Sequence, residues 1–390
     1  MSHQTQANIV PLGTLIEAPP QNGYSPNCLN EPTGKWVLGL SALSERSLDL
    51  SEVKSVSICD PLADRFLLQS GDFLISRSNT IDKVGRVGVF RGGLDNCTYP
   101  DLMMRFRPDA SKIYPEYLEI YLRSETVVKY IQSHATGTSG SMKKINQPTV
   151  ASIPILLLSL SEQKRIVTVH ASWEIAIDKT ERLIEAKEKR FEWLVSRLIN
   201  QGSAKGEWRR VKLKDVVEIN KGQQLNVADM VDTGKYYALN GGTEPSGFTN
   251  NWNTPENTIT ISEGGNSCGF VNFNTDKFWC GGHCYALNNL SNEVSNKYLY
   301  HFLKAHEQFL MALRVGSGLP NIQKKDLLNF TVRLPTLSEQ NIIAEILNTA
   351  RYEIDLLEKQ AEAYRKQKRS LMQKLLTGQW LVKVGKEGKG

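Results

Sequence analysis

Apolar positions recur every seven residues through two long stretches of the chain. The first seam reads Ile166, His170, Trp173, Ile177, Thr180, Ile184, Lys187, Phe191, Leu194, Leu198. The second reads Ile343, Leu347, Ala350, Ile354, Leu357, Ala361, Tyr364, Lys368, Leu371, Leu375. A three-four spacing sustained this far predicts two long helices, each with a coiled-coil stripe that a few polar residues interrupt. Both open on the same four residues, Leu160-Ser161-Glu162-Gln163 and Leu337-Ser338-Glu339-Gln340, 177 residues apart. The register then holds without a gap, with Asp178 matching Asp355, Glu181 matching Glu358, and Lys189 matching Lys366. Ser159 and Thr336 stand three residues before Glu162 and Glu339, the capping-box spacing. Gly202 and Gly378 follow the last apolar positions, where a left-handed residue ends a helix.

Helices of about forty residues are far longer than the globular average, which favours their pairing with each other over each packing on its own domain. An antiparallel pair places the segment before the first helix at one end of a rod and the segment between the helices at the other. The expected organisation is therefore a globular domain over 1–158, a spacer helix over 159–202, a second domain over 203–335, a second spacer helix over 336–380, and a flexible tail over 381–390. The fold class is α+β: two duplicated mixed α/β domains separated by two long antiparallel coiled-coil helices, with pseudo-two-fold symmetry.

Inside the domains the period changes. Short β-branched and aromatic runs alternate with Gly, Asn, Asp and Ser in the first: Trp36 to Leu40, Phe73 to Ser76, Val87 to Phe90, Leu102 to Phe106. One helix is expected over Pro115 to Ser133, followed by a polar-basic loop, Gly137-Thr138-Ser139-Gly140-Ser141-Met142-Lys143-Lys144-Ile145, and a closing strand within Ile153 to Leu158. The second domain repeats the plan. Trp208 to Val216 echoes Ile9 to Leu15, Asn257 to Ser262 parallels Asp72 to Ser76, and Lys297-Tyr298-Leu299 parallels Glu116-Tyr117-Leu118. The loop Gly316-Ser317-Gly318-Leu319-Pro320-Asn321-Ile322 repeats the Gly137 loop at the same offset. The halves share a plan and differ most where loops would face outward, as in a binding module duplicated to read two targets.

Composition narrows the class. The 390 residues are 40% apolar and 23% charged, ordinary for a globular protein, and the longest apolar run, Ile153 to Leu158, is strand-sized. The opening Met-Ser-His-Gln-Thr-Gln lacks a charged and apolar leader, and six cysteines lack paired spacing, so a reducing cytoplasm is expected. A net charge of +6 is compatible with a nucleic-acid partner.

Catalytic patterns are missing. Gly241-Gly242-Thr243-Glu244-Pro245-Ser246-Gly247 and Gly264-Gly265-Asn266-Ser267 do not lead into a phosphate-binding Gly-Lys-Ser/Thr. No carboxylate-lysine set suits a metal-dependent nuclease, and Asp60-Pro61-Leu62 is the nearest approach to a methyltransferase tetrad. Cys268, Cys280, His283 and Cys284 could supply four zinc ligands, but Gly281-Gly282 also suits a plain turn between strands, the reading preferred here.

Polar and basic loops carry more. In the first half these are Arg77, Ser78, Asn79, Lys83, Arg86, Lys143 and Lys144. In the second they are Lys221, Gln223, Gln224, Asn240, Asn250, Asn251, Asn253, Asn266, Ser267, His283, Arg314, Asn321 and Lys324. Lys and Arg neutralise phosphates, whereas Arg, Asn and Gln present the paired donors and acceptors that discriminate base edges. Their recurrence at matching places in both halves makes them the expected DNA-binding set.

Two divergent domains, each followed by a Leu-Ser-Glu-Gln helix, resemble the specificity subunit of type I restriction-modification systems. The ending Ser370-Leu371-Met372-Gln373-Lys374-Leu375-Leu376-Thr377-Gly378 is similar to that family's C-terminus. So are Gly241-Gly242…Gly247, Phe278-Trp279-Cys280-Gly281-Gly282-His283 and Gly316-Ser317-Gly318…Ile322. The resemblance implies that each domain is a target-recognition domain reading half of a split double-stranded DNA sequence, with the helices setting the gap. It implies two methyltransferase subunits that use S-adenosylmethionine and two restriction subunits that use ATP and Mg. This chain itself would carry no catalysis and bind no cofactor. The alternative is a stand-alone DNA-binding scaffold without enzyme partners.

Overall fold

The structure, a computed structural model, describes residues 8–44, 47–137, 142–200, 208–316, 318 and 320–380. Gly202, Thr138 to Ser141, Ser317, Leu319 and the tail 381–390, all invoked above, lie outside the described residues. The chain separates into two compact units, Met1–Asp178 with Glu362–Gly390 and Lys179–Ala361. The division passes through both long helices, so each unit holds one domain together with a portion of each helix.

In the first unit a four-stranded antiparallel sheet runs in the order Gln21–Asn22, Met103–Phe106, Asp72–Ser76, Val87–Phe90. Its central strand, Asp72–Ser76, is buried throughout, as expected of a strand covered on both faces. A smaller sheet orders Cys28–Leu29, Val53–Val56, Trp36–Leu38, Cys97–Thr98, the last pair parallel. A ribbon of Asn8–Pro11 with Pro154–Leu157 closes the domain. The core gathers Phe73, Ile75, Met104, Phe106, Tyr117 and Tyr121, and continues into Ile166, Met372 and Leu375 of the long helices.

The second unit repeats this scaffold. Its sheet orders Glu218–Lys221, Cys284–Asn288, Thr258–Ser262, Val271–Asn274, with Thr258–Ser262 buried throughout. The small sheet orders Gly247–Thr249, Tyr236–Leu239, Trp279–Cys280, again with one parallel pair. Arg209–Lys212 and Thr331–Leu334 form the closing ribbon. Two buried phenols mark the correspondence: Tyr117 donates to the Leu156 carbonyl at 2.8 Å and Tyr298 to the Arg333 carbonyl at 2.7 Å. Each ties the domain's helix to its closing strand, and burying a ring of this size contributes on the order of 2–3 kcal/mol.

Two local expectations change. The segment expected as one helix over Pro115 to Ser133 is two, Pro115–Leu122 and Glu125–His134, because Ser124 caps the second with its side chain accepting from Val127 N–H. Lys143–Lys144, expected in a loop, form a short strand paired with Ser78–Asn79. A polar composition concealed this pairing, which rests on backbone groups alone.

The long helices span Leu160–Val195, followed by a π-helical turn at Ser196–Asn200, and Leu337–Leu376. Every seam position named above is buried or half-buried. Within the first unit Trp173 meets Tyr364 edge-on, with ring centroids 5.7 Å apart, and Glu174 pairs with Lys368. Within the second, Lys187 pairs with Glu353 at 2.6 Å and Glu188 with Arg351 at 2.9 Å, while the Arg351 guanidinium lies over the Phe191 ring. In the second unit the partner number falls from 353 to 351 as the first helix advances from Lys187 to Glu188, as in an antiparallel pair.

Both helix starts are capping boxes. Ser159 N–H donates to Glu162 Oε2 at 3.1 Å and Glu162 N–H to Ser159 Oγ at 3.3 Å; Thr336 and Glu339 repeat this at 3.0 and 3.3 Å. The following glutamines are fully buried, at 0% and 1% exposure for Gln163 and Gln340. Gln163 Oε1 accepts from Tyr114 N–H at 2.8 Å while its Nε2 donates to Leu158 O at 2.8 Å. Gln340 Oε1 accepts from Ser295 N–H at 2.8 Å, and its Nε2 donates to Glu293 O at 2.9 Å and Pro335 O at 3.0 Å.

Truncating Gln340→Ala leaves three backbone groups, one buried and two partly buried, without that amide, and each buried unsatisfied group costs about 1–3 kcal/mol. Allowing for relaxation, the second unit should lose roughly 3 kcal/mol in denaturant unfolding, whereas Gln360→Ala on the exposed face should lose less than about 0.5 kcal/mol. Equal small losses would show that the amide does not anchor the helix.

His301 supplies a pH dependence. Burial holds its imidazole below the usual value, against the opposing hydrogen bond to Asn348 Oδ1 at 2.9 Å and with a smaller lowering from Arg351. An unfolded histidine, near about 6.5, then takes up its proton before the folded one. Stability is fully present above that pH and falls as pH drops through it towards the folded value. His301→Gln should flatten the loss measured between pH 7 and about 5; an unchanged slope would remove His301 from the account.

Candidate nucleic-acid interface

In the second unit four segments meet beyond the ends of the central strands. Gly222 N–H donates to Cys284 O at 2.9 Å and Gln223 N–H to Cys280 O at 2.9 Å, laying the Lys221 strand exit against the Cys280–Cys284 turn. Glu263 N–H donates to His283 O at 2.9 Å, and Glu263 O accepts from Ile322 N–H at 2.8 Å. Ser267 Oγ donates to Gly241 O at 2.5 Å, joining the Gly264–Ser267 and Asn240–Gly242 loops. Gly222 is required by close approach: a Cβ there would stand 2.3 Å from Gly281 O and 2.4 Å from Cys280 O.

The same bonds recur in the first unit. Gly23 N–H donates to Met103 O at 3.0 Å and Tyr24 N–H to Tyr99 O at 3.1 Å. Arg77 N–H donates to Leu102 O at 2.8 Å, and Arg77 O accepts from Ile145 N–H at 2.9 Å. A Cβ on Gly23 would meet Pro100 O at 2.2 Å. Residue by residue, Gly23 corresponds to Gly222, Arg77 to Glu263, Leu102 to His283 and Ile145 to Ile322.

In the first unit the structure brings Arg77, Ser78, Asn79, Lys143 and Lys144 together through the Ser78–Asn79 and Lys143–Lys144 pairing. Arg77 Nη1 donates to Asp101 O at 3.2 Å, and Lys143 Nζ to Gly137 O at 2.8 Å. Ser78 is buried with its hydroxyl on Met142 Sδ, so it builds the loop instead of facing a ligand. Asn79 Oδ1 accepts from Thr80 N–H. Lys83 and Lys144 are exposed and Arg86 half-buried, Lys83 and Arg86 flanking the turn whose Gly85 N–H returns to Ser76 O.

In the second unit Lys221, Gln223, Gln224, Asn240, Ser267, His283 and Asn321 share the loop cluster. Lys221 Nζ pairs with Glu263 Oε1 at 2.6 Å, and His283 Nδ1 lies 3.6 Å from Glu263 Oε2. Asn240 Oδ1 accepts from His283 N–H at 3.3 Å, the Gln223 carbonyl accepts from Trp279 Nε1 at 2.8 Å, and Gln224 Nε2 donates to Leu225 O at 3.3 Å. Asn321 exchanges both backbone bonds with Val315, and Arg314, Asn266 and Lys324 are exposed nearby in sequence. Asn253 spends its amide on the Cys280 backbone, accepting at 2.7 Å and donating at 3.0 Å, so it builds the turn. Asn250 and Asn251 follow the far end of the Tyr236–Leu239 hairpin, where Asn250 Oδ1 accepts from Lys235 N–H at 3.4 Å.

Glu263 is the residue that sequence reasoning missed. Its side chain is 12% exposed and its Oε1 also accepts from Tyr285 OH at 3.0 Å. Burial, reinforced by this bond, pushes the Tyr285 phenol well above its ordinary value. Tyr24, Ser25 and Asp101 were missed in the first unit, where Ser25 donates to the Asp101 carboxylate. The signal available was the glycine common to Asn22-Gly23-Tyr24 and Lys221-Gly222-Gln223. Cys268, Cys280 and Cys284 are buried, and no metal-holding group of three His, Cys, Asp or Glu occurs among the described residues. Hydrogen bonding with Cys280, then burial, raises the Cys284 thiol. No helix among the described residues is long and apolar enough to cross a membrane.

The arrangement offers exposed ammonium and guanidinium groups beside amides and one carboxylate, which is donor-acceptor chemistry. Residues 205–363 match the type I restriction modification DNA specificity domain. A putative type I restriction enzyme MjaX specificity subunit from Methanocaldococcus jannaschii is 24% identical, covering 93% of this chain and 91% of that protein. A putative type I specificity subunit from Mycoplasma pneumoniae is 33% identical over 44% of this chain and 46% of its own. Among solved structures, the type I restriction-modification S subunit from M. genitalium superposes with a TM-score of 0.64, at 15% identity, covering 96% of this chain and 98% of that one. In the matched domain, the near full-length relative and the shared fold, the chain is similar to the specificity subunits of type I restriction-modification systems.

Proposed function

We propose that this chain is the DNA-specificity subunit of a type I restriction-modification complex, in which each domain reads one half of a bipartite site. The observation that carries the reading is one backbone face built twice, by the same main-chain bonds, and furnished with different polar side chains. Phosphate contacts from Lys83, Lys144, Arg314 and Lys324 would position the duplex, and base edges would be read by the amides and charged groups between them. The long helices would set the gap between half-sites. They expose Ile175, Leu183 and Trp193 on the first and Ile342, Tyr352 and Leu356 on the second, apolar residues outside the seam that suit docking of two modification subunits. S-adenosylmethionine would then belong to those subunits, and ATP with Mg to two restriction subunits, with this chain performing no catalysis.

Two measurements test the reading. Titration with site-bearing duplex at fixed salt should show weak binding by the lone chain and a gain of at least tenfold with the modification subunit, because phosphate contacts alone are screened. Equal sequence-specific affinity without the partner would instead identify a stand-alone DNA-binding scaffold. Exchanging residues 208–330 for the matching region of a relative should alter one half of the methylated motif and leave the other intact; changes in both halves would mean the domains do not read independently.

A further inference from the structure

The two reading faces differ most at one pair of equivalent positions. Arg77 and Glu263 each follow the last residue of the central strand, Ser76 or Ser262. Each donates its N–H to the turn, at Leu102 O or His283 O, and accepts from the closing segment, at Ile145 N–H or Ile322 N–H. The backbone therefore delivers both side chains from the same place, yet one is a cation and the other an anion.

Their surroundings fit that inversion. Glu263 Oε1 holds Lys221 Nζ at 2.6 Å and Tyr285 OH at 3.0 Å, whereas Oε2 meets only the His283 ring nitrogen, at 3.6 Å, among the described residues. One carboxylate oxygen is thus committed and the other retains acceptor capacity. Lys221 is half-exposed and neutralises the carboxylate, without which an anion would face the phosphates of a duplex unfavourably. Strand register places Asn22 where Lys221 stands, since Asn22 pairs with Met104 and Lys221 with Tyr285. The first unit has no acidic group at position 77, and at the place of Lys221 it carries Asn22 in place of a lysine. Arg77 instead donates one Nη to the Asp101 carbonyl and keeps the remainder of its fork.

We infer that Arg77 and Glu263 are the specificity-determining residues at which the two halves select different bases, Arg77 a guanine and Glu263 a cytosine. The inference rests on the proposed function. Guanidinium has donors only and matches the O6 and N7 acceptors of guanine in the major groove; ionised carboxylate has acceptors only and takes the cytosine N4 amine. Neither can perform the other's reading, so the exchange of one for the other separates the half-sites without altering the scaffold.

The test uses the full chain expressed with its modification subunit, with methylated adenines mapped across a genome. The wild-type motif is scored first: a complex that methylates no bipartite motif sinks the proposed function itself. Given such a motif, Glu263→Gln should reduce discrimination at one cytosine-containing pair of the second half-site by about tenfold or more, with the first half-site unchanged. Arg77→Gln should do the same at one guanine-containing pair of the first half-site alone. Glu263→Arg combined with Lys221→Asn should move the preference at that pair towards guanine. If Glu263→Gln fails to fold, judged by its melting temperature, Arg77→Gln decides. Wild-type motifs retained in both halves by the folded variants overturn the inference. So does uniform weakening at every position, which would make these residues general binding groups.

Discussion

Each long helix begins with a glutamine amide that has no access to solvent, and the geometry of its unit depends on where the two ends of that amide go. Gln163 takes the N–H of Tyr114, which precedes the helix carrying Tyr117, and returns a bond to Leu158 at the end of the closing strand. Gln340 takes the N–H of Ser295, which precedes the helix carrying Tyr298, and returns a bond to Pro335. One side chain therefore fixes a domain helix, the closing ribbon and the spacer helix against each other. An unpaired buried amide would cost several kcal/mol, so the helix cannot rotate away from its domain without losing these bonds. The capping box beside it satisfies the helix end; the glutamine attaches that end to a domain.

Rigid attachment explains why the faces can diverge. The sheet, the buried tyrosines and the glycine approaches at Gly23 and Gly222 are backbone and core features, and they recur in both units. What projects from them differs between the units. Arg77 and Glu263, Asn22 and Lys221, and Leu102 and His283 occupy matching places with unrelated chemistry. A module that must recognise two different partners benefits from this separation, since a change of exposed side chain leaves the core untouched.

Much of the architecture was legible in the chain. The heptad seam, the capping residues and the 177-residue offset are local or periodic, and the helices formed where those patterns lie. The central strands were also legible as apolar β-branched runs. The face was less so. Ser78, read as an outward loop residue, is buried under Met142, and Asn253 is consumed by the Cys280 backbone. Short polar side chains serve a turn or a ligand equally well, and composition does not distinguish the two uses.

The sequence by itself determined the periodic and local elements: two long helices with boxed starts, buried β-runs, and a duplicated plan lacking nucleophile-base and phosphate-loop motifs. These follow from hydrophobic period and capping, which act over a few residues. Tertiary structure alone decided which positions of the two halves are equivalent. The offset between partners falls from 199 at Gly23 and Gly222 to 186 at Arg77 and Glu263, and reaches 177 only at Ile145 and Ile322. The first domain carries its extra length in the loops and the edge strand Cys28–Leu29, so no fixed offset aligns the early strands. Hydrogen bonds between residues far apart in sequence restore the alignment. They set Glu263 beside Lys221, Tyr285 and His283, a grouping no local pattern encodes.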